Sequence, residues 1–145
     1  MPRVSTRLGQ LLDCWAPVAV WMAAIYVLSA VPNVPGEAGL PHAPLQWLED
    51  LVRGAAHLIE FGVLAVLVWR ALRRSGSAAR QTPLAAAWSL IYAAGDEVHQ
   101  AFVAGRTCSL ADWALDGLGV ALALVAVWRL SRGPEERCRE SPDPL

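Results

Sequence analysis

Lysine is absent from this 145-residue chain: all twelve basic residues are arginine, and thirteen acidic residues leave a formal net charge of −1. That balance excludes the broad basic surface that nucleic-acid binding needs, and it excludes a strongly acidic tail. Cysteine is scarce, since Cys14, Cys108 and Cys138 lie far apart with no CxxC pair. This spacing argues against a zinc ribbon and against a disulfide framework.

Apolar residues dominate what is present, at 55% of the chain with a mean hydropathy of +0.37. This is too apolar for an ordinary soluble domain of this size. Four apolar runs lie near residues 14–31, 54–72, 84–103 and 110–128. Each approaches the ~20 residues that a helix needs to cross hydrocarbon. We therefore predict an all-α polytopic membrane protein, a bundle of four transmembrane helices.

The predicted helices form one domain, residues 1–131, followed by a disordered cytoplasmic tail, residues 132–145. The first run lacks a small-residue cleavage site, so we expect a retained span rather than a signal peptide. Pro17 is expected in its first turn, where a missing amide donor costs little. The segment PLQWLEDLVRG, from Pro44, is predicted to be an interfacial lead-in to the second span.

Loop charges predict the orientation. Ten of the twelve arginines lie in the N-terminal tail, in the loop between the second and third runs, and in the C-terminal tail. The 32–53 loop instead holds Glu37, Glu49 and Asp50 against one arginine. The positive-inside rule then places both termini in the cytoplasm and the 32–53 loop outside.

Polar side chains interrupt the outer parts of the second, third and fourth predicted helices. Several are three or four residues apart and so share a helix face, whereas Glu97 points about 100° away from Asp96 and is expected to face another helix. The predicted ligand-binding residues are His57, Glu60, Asp96, Glu97, His99, Gln100, Arg106, Asp112 and Asp116.

Insertion energies exclude a lipid-facing placement for these acids. The apolar residues of the third run contribute roughly −3 kcal/mol together, and one central Asp costs ~2.5–3.5 kcal/mol. The acids must therefore lie near the interface, line a wet cavity, pair with partners or be protonated. Because Arg106 alone cannot neutralise five acids, protonation of some of them or a bound cation is a reasonable hypothesis. Small residues near the polar positions allow the close packing that such a cluster needs, in Gly54-Ala55-Ala56, Ala93-Ala94-Gly95 and around Gly117 and Gly119.

Individual residues leave structural alternatives open. His57 with Glu60 is either a proton relay, a pair of metal ligands or a packing hydrogen bond. Asp96-x-x-His99 has metal-binding spacing, but any polar cluster offers such pairs, so no cofactor is predicted. Arg106 either grips an anion or pairs with Asp112 to hold the turn, and we favour the structural role. Ser109 is interpreted as a helix N-cap in SLAD rather than a nucleophile.

Three motifs resemble the VanZ-like family of membrane proteins. DEVHQAFVAGRTCSLADWALDGLG (96–119) is similar to the family pattern D-E-x-x-Q-x-F-x-P-G-R followed by S-x-x-D-x-x-x-N-x-x-G. HLIEFGVL (57–64) is similar to H-x-x-E-Y-x-x-L, and LSAVPNVP resembles the S-x-x-P that closes the first helix. The chain departs from these patterns at Phe61, Ala104 and Asp116, and Arg53 replaces a lysine one position away.

The resemblance implies a protein of the bacterial cytoplasmic membrane, and the founding member is associated with low-level teicoplanin resistance. The leading hypothesis is a non-enzymatic protein whose outward-facing acidic pocket binds a polar-headed amphiphile, such as a cell-wall lipid precursor or a lipoglycopeptide. The alternative is a membrane-embedded hydrolase or transferase, with or without a metal, that uses Asp96 or Glu97 as general base and His57 or His99 as its partner. A proton-coupled transporter is least favoured because no inverted repeat is present. The expected partners are the bilayer and this ligand, with no nucleic acid, and oligomeric state is left open.

Overall fold

The computed structural model describes residues 7–32, 46–75 and 80–131. They form four helices, α1 (Arg7–Ser29), α2 (Gln46–Arg74), α3 (Gln81–Gln100) and α4 (Leu110–Ser131). Within these ranges there is no strand, and the predicted all-α class is confirmed. The predicted disordered tail, residues 132–145, and most of the 32–45 loop lie outside the described residues.

Three of the described helices are long and apolar enough to cross a membrane, over Leu11–Ser29, Leu51–Arg74 and Leu110–Ser131. Helix α3 is not among these three, because its last turns carry the polar residues Asp96, Glu97, His99 and Gln100. Large apolar side chains point away from the bundle along these helices, including Val20, Ile91 and Leu122, each more than half exposed. An exposed apolar exterior on long apolar helices is the surface expected of a membrane protein.

Helix ends differ from the ends of the apolar runs. The expectation that Pro17 lies in the first turn was wrong, because α1 begins at Arg7 and Pro17 lies well inside it. The predicted lead-in to the second span is continuous with α2, which begins at Gln46. Backbone hydrogen bonding extends a helix beyond the hydrocarbon-compatible stretch, so hydropathy marks the middle of a helix better than its ends.

The α2–α3 pair is central. Helix α2 makes its most extensive contact with α4, while in the described parts of α1 and α4 no Cα atoms lie within 8 Å of each other, so the α2–α3 pair separates α1 from α4. A Cβ atom added at Gly119 would lie 2.1 Å from the carbonyl oxygen of Leu58, so the backbones of α2 and α4 touch there. One at Gly95 would meet nothing within 4 Å, so close packing at that predicted position was not found.

Hydrogen bonds from aromatic side chains attach α1 to its neighbours. The indole of Trp21 donates to the carbonyl of Glu60 on α2 at 2.9 Å, and the hydroxyl of Tyr92 on α3 donates to the carbonyl of Met22 at 2.7 Å. The up-and-down order of the helices brings the ends of α1 and α3 beside the first halves of α2 and α4. This end of the bundle, which includes the 101–109 turn, is called the polar end below.

Candidate functional site

Asp96 joins α3 to α1 at the polar end. Its Oδ2 atom lies 2.9 Å from the hydroxyl of Ser29 and 2.7 Å from the amide nitrogen of Gln100, which donates to it. All three side chains are buried. The Ser29 hydroxyl also lies 2.9 Å from the carbonyl of Ile25, and its single hydrogen serves one acceptor at a time. Asp96 therefore has a structural set of partners already in place.

His57 and Asp116 connect α2 to α4. The Nδ1 atom of His57 lies 3.0 Å from Oδ1 of Asp116, and the Asp116 side chain has no exposed surface. The second carboxylate oxygen of Asp116 is buried and has no hydrogen-bond partner among the described residues. Buried polar atoms are usually satisfied, so this one indicates an unmet interaction.

Glu97 faces α4, as predicted from its angular offset from Asp96. Its Oε2 atom accepts the backbone N–H of Ser109 at 2.7 Å, just before α4 begins. The hydroxyl of Ser109 in turn accepts the N–H of Asp112 at 3.2 Å, which confirms the predicted N-cap. The other Glu97 oxygen, Oε1, is buried without a partner in the part of the chain that the structure describes.

Helices α2, α3 and α4 thus each bring one metal-capable side chain to a common point. His57, Glu97 and Asp116 each offer one ligand atom, and these three atoms lie within 4.8 Å of one another. All three residues are buried. We refer to them as the His-Glu-Asp cluster.

A cavity of about 210 Å³ opens beside this cluster, between α1, α2 and the end of α3. Its walls combine apolar, cationic, acidic and hydrogen-bonding side chains. They are Leu28, Ser29, Val52, Arg53, Ala56, His57, Glu60, Gln100 and Arg106. His57 is the residue shared between the cavity wall and the His-Glu-Asp cluster.

Arg106 has a structural role, but its partners are not the predicted one. Its Nε atom donates to the carbonyl of Val31 at 3.2 Å and its Nη2 atom to the carbonyl of Leu28 at 3.4 Å. These carbonyls lie at the C-terminal end of α1, where a cation is favourable. The expected pairing with Asp112 was wrong, since the ion pair found among the described residues joins His57 to Asp116.

A sequence model of the VanZ/LLP1 family matches residues 14–131. The chain belongs to the VanZ/LLP1 family. No curated protein and no solved structure gives a significant match to it. The matched region ends at the last residue of α4 and includes the whole polar end that the structure describes.

The nine predicted site residues of this VanZ/LLP1 protein take different positions. His57, Glu60, Gln100 and Arg106 line the cavity. Asp96, Glu97 and Asp116 lie in helix–helix contacts and do not line it, and Asp112 lies in the first turn of α4. His99 stacks on Tyr26 of α1, with ring centroids 4.5 Å apart and planes at 29°. The Asp96-x-x-His99 pair is therefore not the group of metal-capable atoms that converges.

Two polar cavity residues, Ser29 and Arg53, were missed from the predicted site. Ser29 was visible only as the first residue of the S-x-x-P element that ends α1. Arg53 lies four residues before His57 and therefore on the same helix face, so its positive charge, displaced by one position from the family pattern, forms part of the cavity wall. The spacing rule that paired His57 with Glu60 also identifies Arg53.

Proposed function

We propose that this VanZ/LLP1 protein lies in the bacterial cytoplasmic membrane with its polar end outward, and that the cavity binds the polar head of an amphiphilic envelope ligand. The observation that carries this proposal is the composition of the cavity wall. It places Arg53, Arg106, His57 and Glu60 around one space, with the Arg106 guanidinium also held by carbonyls at the end of α1. Ligand sites typically combine apolar walls with a few convergent polar groups in this way.

The wall favours a ligand with an anionic head and an apolar tail. Arginine forks bind phosphate and carboxylate groups in bidentate fashion. Leu28 and Val52, both more than half exposed, provide apolar surface at the cavity for a hydrocarbon chain. A volume of about 210 Å³ corresponds to roughly seven waters and accommodates a phosphate-sized head. A cell-wall lipid precursor and a lipoglycopeptide such as teicoplanin both combine these features.

Binding is tested on the full chain in lipid nanodiscs, by titration calorimetry with a polyprenyl phosphate and, separately, with teicoplanin. Arg53→Ala is expected to weaken binding about tenfold, the effect of losing one charge-assisted hydrogen bond. Arg80→Ala removes an equally exposed arginine at the opposite end and is the matched control. Wild-type protein that binds neither probe, or equal affinity for wild type and Arg53→Ala, would refute the proposal. Expression in a susceptible host, with teicoplanin susceptibility as the readout, tests the link to resistance.

The proposed orientation rests on charge at the two ends. Arg70, Arg73, Arg74, Arg80 and Arg129 all lie at the end opposite the polar end, as the positive-inside rule requires of a cytoplasmic face. Cys108 is exposed in the turn at the polar end, whereas Cys14 is buried. In a Cys138→Ser variant, a membrane-impermeant maleimide should label Cys108 on intact cells. Labelling only of inverted vesicles would reverse the orientation.

The enzymatic alternative has one observation in its favour. His57 lines the cavity and is oriented by the buried carboxylate of Asp116 at 3.0 Å, the relation that activates a histidine general base. The originally expected bases fit less well, since Asp96 already accepts hydrogen bonds from Ser29 and Gln100. Phosphate release from a polyprenyl diphosphate, lost in His57→Gln, would favour hydrolysis. Binding without release would favour a non-enzymatic protein.

A further inference from the structure

We infer that the His-Glu-Asp cluster binds one divalent transition-metal ion through His57, Glu97 and Asp116. The inference begins from two oxygen atoms that the fold leaves unmatched. Oε1 of Glu97 and Oδ2 of Asp116 are both buried, and neither has a hydrogen-bond partner among the described residues. The two residues are 3% and 0% exposed. Since buried carboxylate oxygens are costly to leave unpaired, the fold indicates that a positively charged partner binds here.

The geometry suits a single ion. A metal with bonds of about 2.0–2.2 Å to nitrogen and oxygen holds its ligand atoms roughly 3–4 Å apart. The His57 Nδ1 to Asp116 Oδ1 distance of 3.0 Å fits adjacent ligands, and all three ligand atoms lie within 4.8 Å of one another. The Ser109 amide fixes the Glu97 carboxylate from the opposite oxygen, as hydrogen bonds commonly orient metal ligands.

Charge argues in the same direction. Two ionised carboxylates exceed the single positive charge that His57 can carry, so the cluster would keep a net negative charge in the interior of the bundle. Arginine does not offset it in the described part of the chain, because Arg106 is bonded to carbonyls at the end of α1 and no arginine pairs with either acid. A divalent cation neutralises both acids at once and connects α2, α3 and α4.

The ligand set selects the kind of metal. An imidazole nitrogen with two carboxylates suits zinc, manganese, iron or cobalt better than magnesium or calcium, which prefer all-oxygen sites. Three protein ligands also leave a coordination position free, as in metal sites that bind an exogenous group. The inference does not depend on any occupant of the neighbouring cavity.

The test uses the full chain in detergent micelles, stripped with EDTA, dialysed against Co²⁺ or Zn²⁺ and measured by elemental analysis. We expect on the order of one ion per chain, Co²⁺ absorption bands of a low-coordinate site, and a melting temperature raised by Co²⁺ but not by Mg²⁺. Glu97→Gln and Asp116→Asn should each weaken binding at least tenfold. Glu60→Gln, which removes a cavity carboxylate three residues from His57, should bind as wild type does.

Three results would overturn the inference. The first is wild-type protein that retains no Co²⁺ or Zn²⁺ and melts at the same temperature with and without them. The second is unchanged affinity in folded Glu97→Gln and Asp116→Asn. The third is equal loss in Glu60→Gln, which would move the ion into the cavity. If the cluster variants fail to fold, the wild-type Co²⁺ spectrum and the Co²⁺-against-Mg²⁺ melting comparison decide the question alone.

Discussion

Substituting Gly119 by alanine should damage the bundle more than the same change at Gly54, Gly62, Gly95 or Gly117. The added Cβ would lie 2.1 Å from the Leu58 carbonyl oxygen, and 2.9 and 3.0 Å from the Leu58 carbonyl carbon and Cα. Ordinary contact begins near 3.4 Å, so the helices must separate locally by about 1.3 Å. The three Leu58 atoms belong to the backbone of α2, and the added Cβ is fixed to the backbone of α4. Rotation of a side chain therefore cannot relieve the overlap.

The loss of stability depends on how far α2 and α4 must separate. A gap of ~0.5–1 Å already removes a quarter to a half of the dispersion energy of the atoms facing it. Overpacking of this kind costs roughly 1–3 kcal/mol and occasionally more, against which alanine regains at most about 1 kcal/mol of helix propensity. We therefore expect Gly119→Ala to lower the free energy of unfolding by about 2 kcal/mol.

Reversible unfolding in mixed micelles, followed by circular dichroism over an SDS titration, measures this difference. Gly95→Ala is the matched control, because its Cβ would meet nothing within 4 Å and the variant should be as stable as wild type or slightly more so. If Gly119→Ala unfolds within ~0.5 kcal/mol of Gly95→Ala, the close approach of α2 and α4 at this point is wrong.

Three further predictions use the same assay. Ser109→Ala removes the N-cap of α4 and should cost about 1 kcal/mol, while Ser109→Thr should restore most of it. Arg106→Ala removes two hydrogen bonds to the end of α1 and should cost about 1 kcal/mol, with Arg106→Lys intermediate because lysine lacks the forked donors. A double-mutant cycle of Ser29→Ala and Asp96→Ala should give a coupling of roughly 0.6 kcal/mol, typical of a hydrogen bond between membrane helices. Zero coupling would mean that Ser29 and Asp96 do not form a hydrogen bond. A Ser109→Ala variant as stable as wild type would mean that Ser109 does not stabilise the start of α4.

The four helices lie where the apolar runs predicted them, and three of the four are long and apolar enough to cross a membrane, because hydropathy and length constrain such a helix strongly. The ends of the helices were not predictable, since α1 begins at Arg7 and α2 at Gln46, several residues before their apolar runs. Beyond the hydrocarbon, water satisfies backbone groups as well as a helix does, and residue type no longer decides where hydrogen bonding stops. Pro17 shows the same limit, because a proline marks a local break in hydrogen bonding and not the start of a helix.

The position of the site residues along each helix was predictable, but the neighbouring helix that each residue faces was not. Counting along each helix placed His57, Asp96, Glu97 and Asp116 at one end of the bundle. The structure brings His57, Glu97 and Asp116 to one point there, whereas Asp96 contacts Ser29 of α1. Helical spacing also separated Glu97 from Asp96. It carried no information about the order of the helices around the bundle, and this order decides that Asp96 meets α1 while Glu97 meets α4. Arg106 was assigned the wrong partner for the same reason.

The shared position of His57 has a consequence for genetics. One imidazole belongs both to the wall of the cavity and to the buried pair with Asp116. A screen for loss of function should readily recover substitutions of His57. Such a substitution would not show whether the cavity or the buried pair with Asp116 had been damaged. Alleles at Glu60 and Glu97, which do not overlap, separate the two phenotypes.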